Sequence, residues 1–350
     1  MKPGSGTGPK QTSGRPGRAT IRTVASDAGV SVSAVSKVLR NAYGVSDGLK
    51  ERVNASIQRL GYRPNASARG MRGRSYTLGV VLSDIRNPFF SEIMIGIGTV
   101  LAETPYQPLL GVSNSAVGTE RTLVEAMVDR QMDGLIFLAP RMPLALLDEA
   151  AQRIPTVVIG HHRPEAEHYD TINNDDALGA EMVVDRLAEA GLRRIAHVSL
   201  ALTPDESFAV TAHREIGYRR AMQRRGLDRW IEVHRAENSP FAGQVIRPLL
   251  EQSPRPEALF CWTDACALEA ISVATQMGLA IPRDLSIVGY DNSPLCNLAQ
   301  NALSSVDQSG RQLGAQATHQ LLERIEGRYA PHHHLTRPRL VERASLAPRD

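Results

Sequence analysis

Val32, Ser33, Ser36, Lys37 and Arg40 are the densest set of contact-making side chains in the sequence. On a helix they share the face opposite Val35, Val38 and Leu39, which recur at i, i+3, i+4 and point inward. The Lys37 ammonium can donate to guanine O6 and N7, a contact worth ~1–3 kcal/mol against a wrong base. Val32 can only pack, on a thymine methyl or a sugar. The Ser33 hydroxyl donates and accepts, so it is ambiguous. Arginines nearby set affinity and salt dependence more than selectivity.

The elements that must carry these residues are short and strongly punctuated. Val24, Ala25 and Ala28 form one helical face, and Gly29 follows where a left-handed C-terminal turn is expected. Val30 plugs the turn, and Ser31 offers its hydroxyl to the free amides of the next helix. This is the pattern of a helix-turn-helix, whose second helix enters the DNA major groove. After the loop Asn41–Gly44, Ser46 is expected to cap a third helix with Leu49, Val53, Ile57 and Leu60 inward and Gly61 at its end. Three helices of this size bury little apolar surface, so the head is marginal alone.

Charge agrees with a polyanionic partner. Residues 1–75 hold fourteen Lys plus Arg against three acids, a net +11, and only four of the fourteen precede Thr20. The remainder holds 26 basic and 34 acidic residues, a net −8. A basic head on a mildly acidic body points the head at nucleic acid. The segment 1–19 is rich in Gly, Pro, Ser and basic residues without an apolar stretch, so a disordered basic tail is expected rather than a secretory signal. The three cysteines form no C-x-x-C pair and no disulfide framework, which fits a reduced cytoplasm. No apolar run reaches ~18 residues, so no membrane span is expected.

Tyr62-Arg63-Pro64-Asn65 breaks the third helix, because proline excludes the helical region from the residue before it. Asn65 can cap the short segment Ala66–Arg72, which Gly70 weakens by ~1 kcal/mol relative to alanine. Such a segment fits a helix that forms on DNA, with small Ala68 permitting close approach and Met71 wedging into the minor groove. The stretches TIRTVASDAGVSVSAVSKVLRN and VSDGLKERVNASIQRLGYRPNASARGM together resemble the head of a LacI/GalR-family transcription regulator. The resemblance covers Thr20 to about Ser345. It implies a homodimer on a near-palindromic operator, with Val32, Ser33 and Lys37 at base edges. It implies Thr20, Ser31 and Ser36 on phosphates, and Met71 inserted at the operator centre. Ala34 stands where the family usually has Thr, and Gly70 softens the hinge helix.

From Tyr76 the chain alternates apolar strands and helices, and the rhythm restarts at Asp175. Near-continuous apolar strands between helices mean parallel sheets covered on both faces. The expected fold is therefore an all-α helix-turn-helix head and an α/β body of two doubly wound parallel-sheet subdomains, resembling a periplasmic binding protein. The expected domains are 1–19 tail, 20–64 head, 65–75 hinge and 76–350 effector-binding and dimerisation body.

Ligands in such sheets bind at the carboxyl ends of strands. Residues there include Asp84, His161, Asn174, Asp175 and Asp264, with Asp175 and Asp264 equally suited to capping or bracing. The resemblance places Asn87, Phe89 and Phe90 of SDIRNPFF at a cleft. It assigns Arg214 of HREIGY and Asp291 of SIVGYDN to a ligand's polar groups. Many relatives carry a stacking aromatic where this chain has Asn238, which would offer a hydrogen bond instead. The expected effector is a small polar molecule, a sugar or derivative such as a sugar acid or polyol.

No G-x-x-x-x-G-K-[ST] or H-E-x-x-H motif is present. His332-His333-His334 on a strand would point to alternate faces and cannot converge on one ion, so a solvated run is expected, with no cofactor or metal. The reading is a cytoplasmic DNA-binding regulator, a repressor under allosteric effector control. A sugar-binding transport receptor and a metabolite-binding enzyme are the alternatives for the same α/β body.

Overall fold

A computed structural model describes residues 19–39, 42–62, 73–202, 206–237 and 242–348. Arg40, Asn65, Ala68, Met71 and Asn238, with the tail and Gly70, lie outside these residues. The chain divides into two compact units, Met1–Ser75 and Tyr76–Asp350.

In the first unit α1 (Ile21–Asp27), α2 (Val32–Leu39) and α3 (Asp47–Leu60) close on Val24, Ala25, Val35 and Val53. A reciprocal capping box of Thr20 and Thr23 starts α1. Gly29 and Gly61 sit at φ +64° and +59°, where an L side chain would be strained, and each closes its helix. Ser31 Oγ accepts from the Ala34 amide at 3.2 Å. Two expectations hold only in part. Ser46 takes the expected cap position directly before Asp47, but its side chain makes no capping hydrogen bond. Leu39 is exposed, and Val35 and Val38 alone of that expected stripe pack into the three-helix core.

The second unit runs β1 (Thr77–Leu82), α4 (Phe89–Leu101), β2 (Gln107–Val112), α5 (Val117–Asp129), β3 (Gly134–Leu138), α6 (Leu144–Arg153), β4 (Thr156–Ile159) and β5 (Asp170–Asn174). It continues α7 (Asp176–Glu189), β6 (Ile195–Leu200), α8 (Val210–Arg224), β7 (Glu232–Ala236), α9 (Gly243–Leu250), β8 (Ala258–Cys261), α10 (Asp264–Gln276) and β9 (Ser286–Asp291). The last elements are β10 (Ser304–Asp307), α11 (Gly310–Ile325), β11 (His333–Thr336) and β12 (Arg339–Val341).

The strands form two six-stranded sheets, β11-β5-β4-β3-β1-β2 and β12-β10-β9-β8-β6-β7. All neighbours are parallel except the antiparallel pair β10 and β12. Period-two alternation splits each strand between two cores. In the first lobe Leu78, Val80 and Leu82 face α4 and α11, while Val81 faces α5 and α6. In the second, Val198 and Leu259 face α9 and α10, while Ile195 and Phe260 face α7 and α8. The chain passes to the second lobe after β5, returns for α11 and β11, and leaves again for β12.

Helices α4 and α11 touch backbone to backbone at Gly96 and Gly314, where a β-carbon would strike the carbonyls of Arg311 and Ile93. His333 and His334 are exposed on the edge strand β11 and His332 just before it, with His333 bonded to Thr171 and the Ala166 carbonyl.

Candidate functional site: a reading helix and an interlobe cleft

On the head, burying Val35 turns Val32, Ser33 and Lys37 outward, with Val32 40% exposed. Ser31 and Ser33 hydroxyls meet at 2.9 Å, so both lie at the start of α2. Ser36 is half-buried and Thr20 exposed. Asp27 accepts from Ser56 at 2.6 Å and from Arg59, tying α1 to α3 behind this face. The Arg59 hydrogen bond, then that of Ser56, holds the Asp27 carboxyl below its ordinary value.

In the body a cleft of about 1010 Å³, open solvent included, lies at the carboxyl ends of both sheets. Of the residues expected there, Asp84, Asn87, Phe89, Phe90, Asn174, Arg214 and Asp291 line it. Ser115, Ala139 and Asp291, all lining residues without glycine's freedom, have φ of +57°, +49° and +117°. Backbone strain of this kind gathers where surrounding structure over-determines a binding surface.

Arg214 is buried on α8. Its Nε donates to Asp176 at 2.7 Å, Nη1 to the Trp262 carbonyl, and its guanidinium lies 3.7 Å over the Tyr290 ring. Burial opposes its charge, but Asp176, Tyr290 and Asp291 outweigh burial and keep it firmly protonated. Burial likewise opposes the Asp176 charge, and Arg214 with His162 (2.7 Å) still holds that carboxyl below its ordinary value. His162 stacks on His213 at 3.8 Å.

Asp291 ends β9. Gln308 and Asn87 donate to its two oxygens at 2.6 and 3.2 Å, the second bond crossing between lobes. Burial, then the like charge of Asp264, pushes its pKa well up. Arg141 and Glu206 also cross the cleft, in a two-pronged ion pair at 2.7 and 2.8 Å. Tyr290 donates to Asn174 at 3.3 Å.

Three of the residues expected there, His161, Asp264 and Asp175, do not line the cleft. His161 is sealed between Phe208, at 4.3 Å between centroids, and Tyr169, whose hydroxyl lies 3.0 Å from Nε2. Asp264 is buried at the start of α10, bracing the Ser293 amide, Ser305 and Cys296. Burial pushes its carboxyl up. Asp175 caps α7 through the Leu178 amide. The sequence reading passes over Asp176, Trp262, Gln308, Arg141 and Glu206. Asp176 adjoins Asp175, Trp262 lies two residues before Asp264, and Arg141 follows the strand Gly134–Leu138.

Burial holds His161 at a pKa of about 3, helped by the charges of Arg163 and His162, and burial holds His197 at about 4. An unfolded imidazole titrates near 6.5, so the unfolded chain takes up these protons first. The stability is complete above pH 6.5 and lost as pH falls towards the folded values. Each imidazole should remove roughly 2 kcal/mol between pH 7 and pH 5. Urea melts at the two pH values measure this, and His161→Gln should flatten the slope by its share. An unchanged slope would refute the assignment.

Comparison with known proteins follows the same division. Residues 20–65 match the pattern of bacterial regulatory proteins, lacI family, and residues 184–346 match a periplasmic binding protein-like domain. The chain is 31% identical over 317 residues to the HTH-type transcriptional repressor CytR of Escherichia coli (strain K12), covering 89% of this chain and 91% of that protein. It is 32% identical over 315 residues to the ribose operon repressor of Haemophilus influenzae, covering 88% and 92%. Among solved structures, the transcriptional regulator CelR–cellobiose complex is 28% identical with a TM-score of 0.67, covering 94% of this chain and all of that one. Among the described residues no helix is long and apolar enough to cross a membrane.

Proposed function

Because this chain belongs to the LacI family of DNA-binding transcription regulators, we propose that it represses transcription as a homodimer on a near-palindromic operator, its affinity set by a small polar effector in the interlobe cleft. The observation that carries this is one chain joining an outward Val32–Ser33–Lys37 face to a cleft built around buried Arg214. Lys37, Ser33 and Val32 read base edges. Thr20, Ser31 and Ser36 hold phosphates, and the hinge with Ala68 and Met71 meets the minor groove. Arg214, Asp291, Asn87 and Asn174 bind the effector's polar groups, and Phe89 and Phe90 its apolar face. The effector is a sugar or sugar derivative, and the protein performs no catalysis and acts in the cytoplasm. Effector binding shifts the population of interlobe angles, and the two heads gain or lose the operator together.

Retardation of the upstream DNA by the full-length protein should be sequence-preferring and should weaken steeply with salt. Lys37→Ala should cost ~1–3 kcal/mol of discrimination at one operator position, with the discrimination at other positions kept. Salt-insensitive or sequence-blind retardation would overturn the reading. A thermal-shift screen of sugars, sugar acids and nucleobases should find a compound that raises the melting temperature by mass action.

A further inference from the structure

We propose, resting on the cleft as an effector site, that Trp262 selects the effector, an uncharged molecule with one flat apolar face and a hydrogen-bond acceptor at its rim. A pyranose and a nucleoside share that chemistry.

Trp262 follows β8 directly and is held on both sides by its own backbone. Its amide donates to the Val198 carbonyl at 2.9 Å, its carbonyl accepts from Arg214, and the next residue, Thr263, caps α10. The side chain packs against the apolar core of the second lobe, and the residue lines the cleft. The platform is therefore fixed before anything binds. Indole Nε1 is a donor only. It is buried and has no hydrogen-bond partner among the described residues. A buried donor without an acceptor is costly, and a ligand oxygen over the indole edge would satisfy it.

The charges in the cleft argue for a neutral molecule. Its two lining arginines are already matched, Arg214 by Asp176 and Arg141 by Glu206. Asp84 is matched by Arg86. Asp291 has no ion-pair partner among the described residues, only the amides of Asn87 and Gln308. An anionic ligand would enter a buried cleft that offers it no unmatched cation among the described residues.

The test uses the full-length chain carrying Trp230→Phe, which leaves Trp262 as the single tryptophan. Trp230 lies under the Arg194 and Arg229 guanidiniums and does not line the cleft. Tryptophan emission and operator retardation are followed with D-glucose, cellobiose, uridine and adenosine, and with the charged counterparts glucose 6-phosphate, gluconate and uridine 5′-monophosphate. The expected result is that an uncharged probe changes both signals, and that any charged counterpart binds at least about tenfold more weakly. Whether glucose and cellobiose or the nucleosides respond distinguishes the two sources of the shared chemistry. Followed by thermal shift, Trp262→Phe keeps a ring and loses the donor, weakening that probe about three- to tenfold. Trp262→Leu weakens it on the order of fiftyfold. Unliganded melting temperature and operator retardation check that both variants are folded. A probe that binds Trp262→Leu as well as it binds the parent, or a charged probe that binds more tightly than its neutral partner, would overturn the proposal and leave the regulator reading intact. If no uncharged probe binds, the proposal fails, and sequence-preferring retardation in the same samples decides the regulator reading separately.

Discussion

Arg214→Met is expected to lower the stability of the α/β unit by about 3–5 kcal/mol. The reason is the partner left behind. Asp176 is 1% exposed, has its charge balanced by Arg214, and is in hydrogen-bond contact with His162. Removing the guanidinium leaves a buried carboxylate that must be protonated or poorly solvated, and also withdraws a donor from the Trp262 carbonyl and a cation from the Tyr290 face. In the parent, the depressed Asp176 carboxyl contributes stability above its unfolded pKa, and that contribution is lost in acid as pH falls through the folded value. In the variant, burial raises the same carboxyl, so its stability is greatest below the unfolded pKa and falls as pH rises through the folded one. The gap between parent and variant should therefore narrow from pH 7 towards pH 4. Adding Asp176→Asn removes the orphan charge and should recover a large part of the loss without restoring any effector response. A loss below about 1 kcal/mol, or one that Asp176→Asn leaves untouched, would contradict the buried-pair account.

Gly96→Ala is expected to cost about 3 kcal/mol or more, the upper end for overpacking, because the added methyl meets main chain rather than a movable side chain. It would strike the Arg311 carbonyl and force α11 off α4, opening the face that covers Ile136 and Leu138. The control lies two residues on. A β-carbon at Gly98 meets nothing within 4 Å, so Gly98→Ala should stabilise the same helix by up to about 1 kcal/mol. Denaturant midpoints of the two variants should move in opposite directions. If both destabilise, the close helix crossing is not the cause.

The helix-turn-helix was legible because its signals are local. Gly29, Ser31 and the inward Val35 act within one turn of the residues they place. The parallel strands were legible where burial on both faces makes them continuously apolar, as in Gly134–Leu138. Beyond Tyr290 that signal fails. Ser304–Asp307 is buried but rich in serine, its polar groups answered by Arg343 and Ser345 from the end of the chain. His333–Thr336 is an exposed edge strand. Partners so distant in sequence leave no local pattern, and Gln308, which holds Asp291, was lost with them. Neighbouring residues of one type were the other difficulty. Asp175 caps a helix while Asp176 binds Arg214, and His161 is sealed in the core while His162 holds Asp176. One residue along a helix start is a turn of ~100°, which composition cannot resolve.

The return of the chain to the first lobe sets an order for its making. The sheet formed by β1 to β5 emerges from the ribosome early, but the helix that covers Ile93, Ile97 and Leu138 is α11, and its edge strand is β11. A nascent chain ending anywhere before Gly310 carries that apolar face bare while the whole second lobe is being translated. The half synthesised first is thus completed almost last, and it is the half that solvent, chaperones and neighbouring nascent chains meet unfinished.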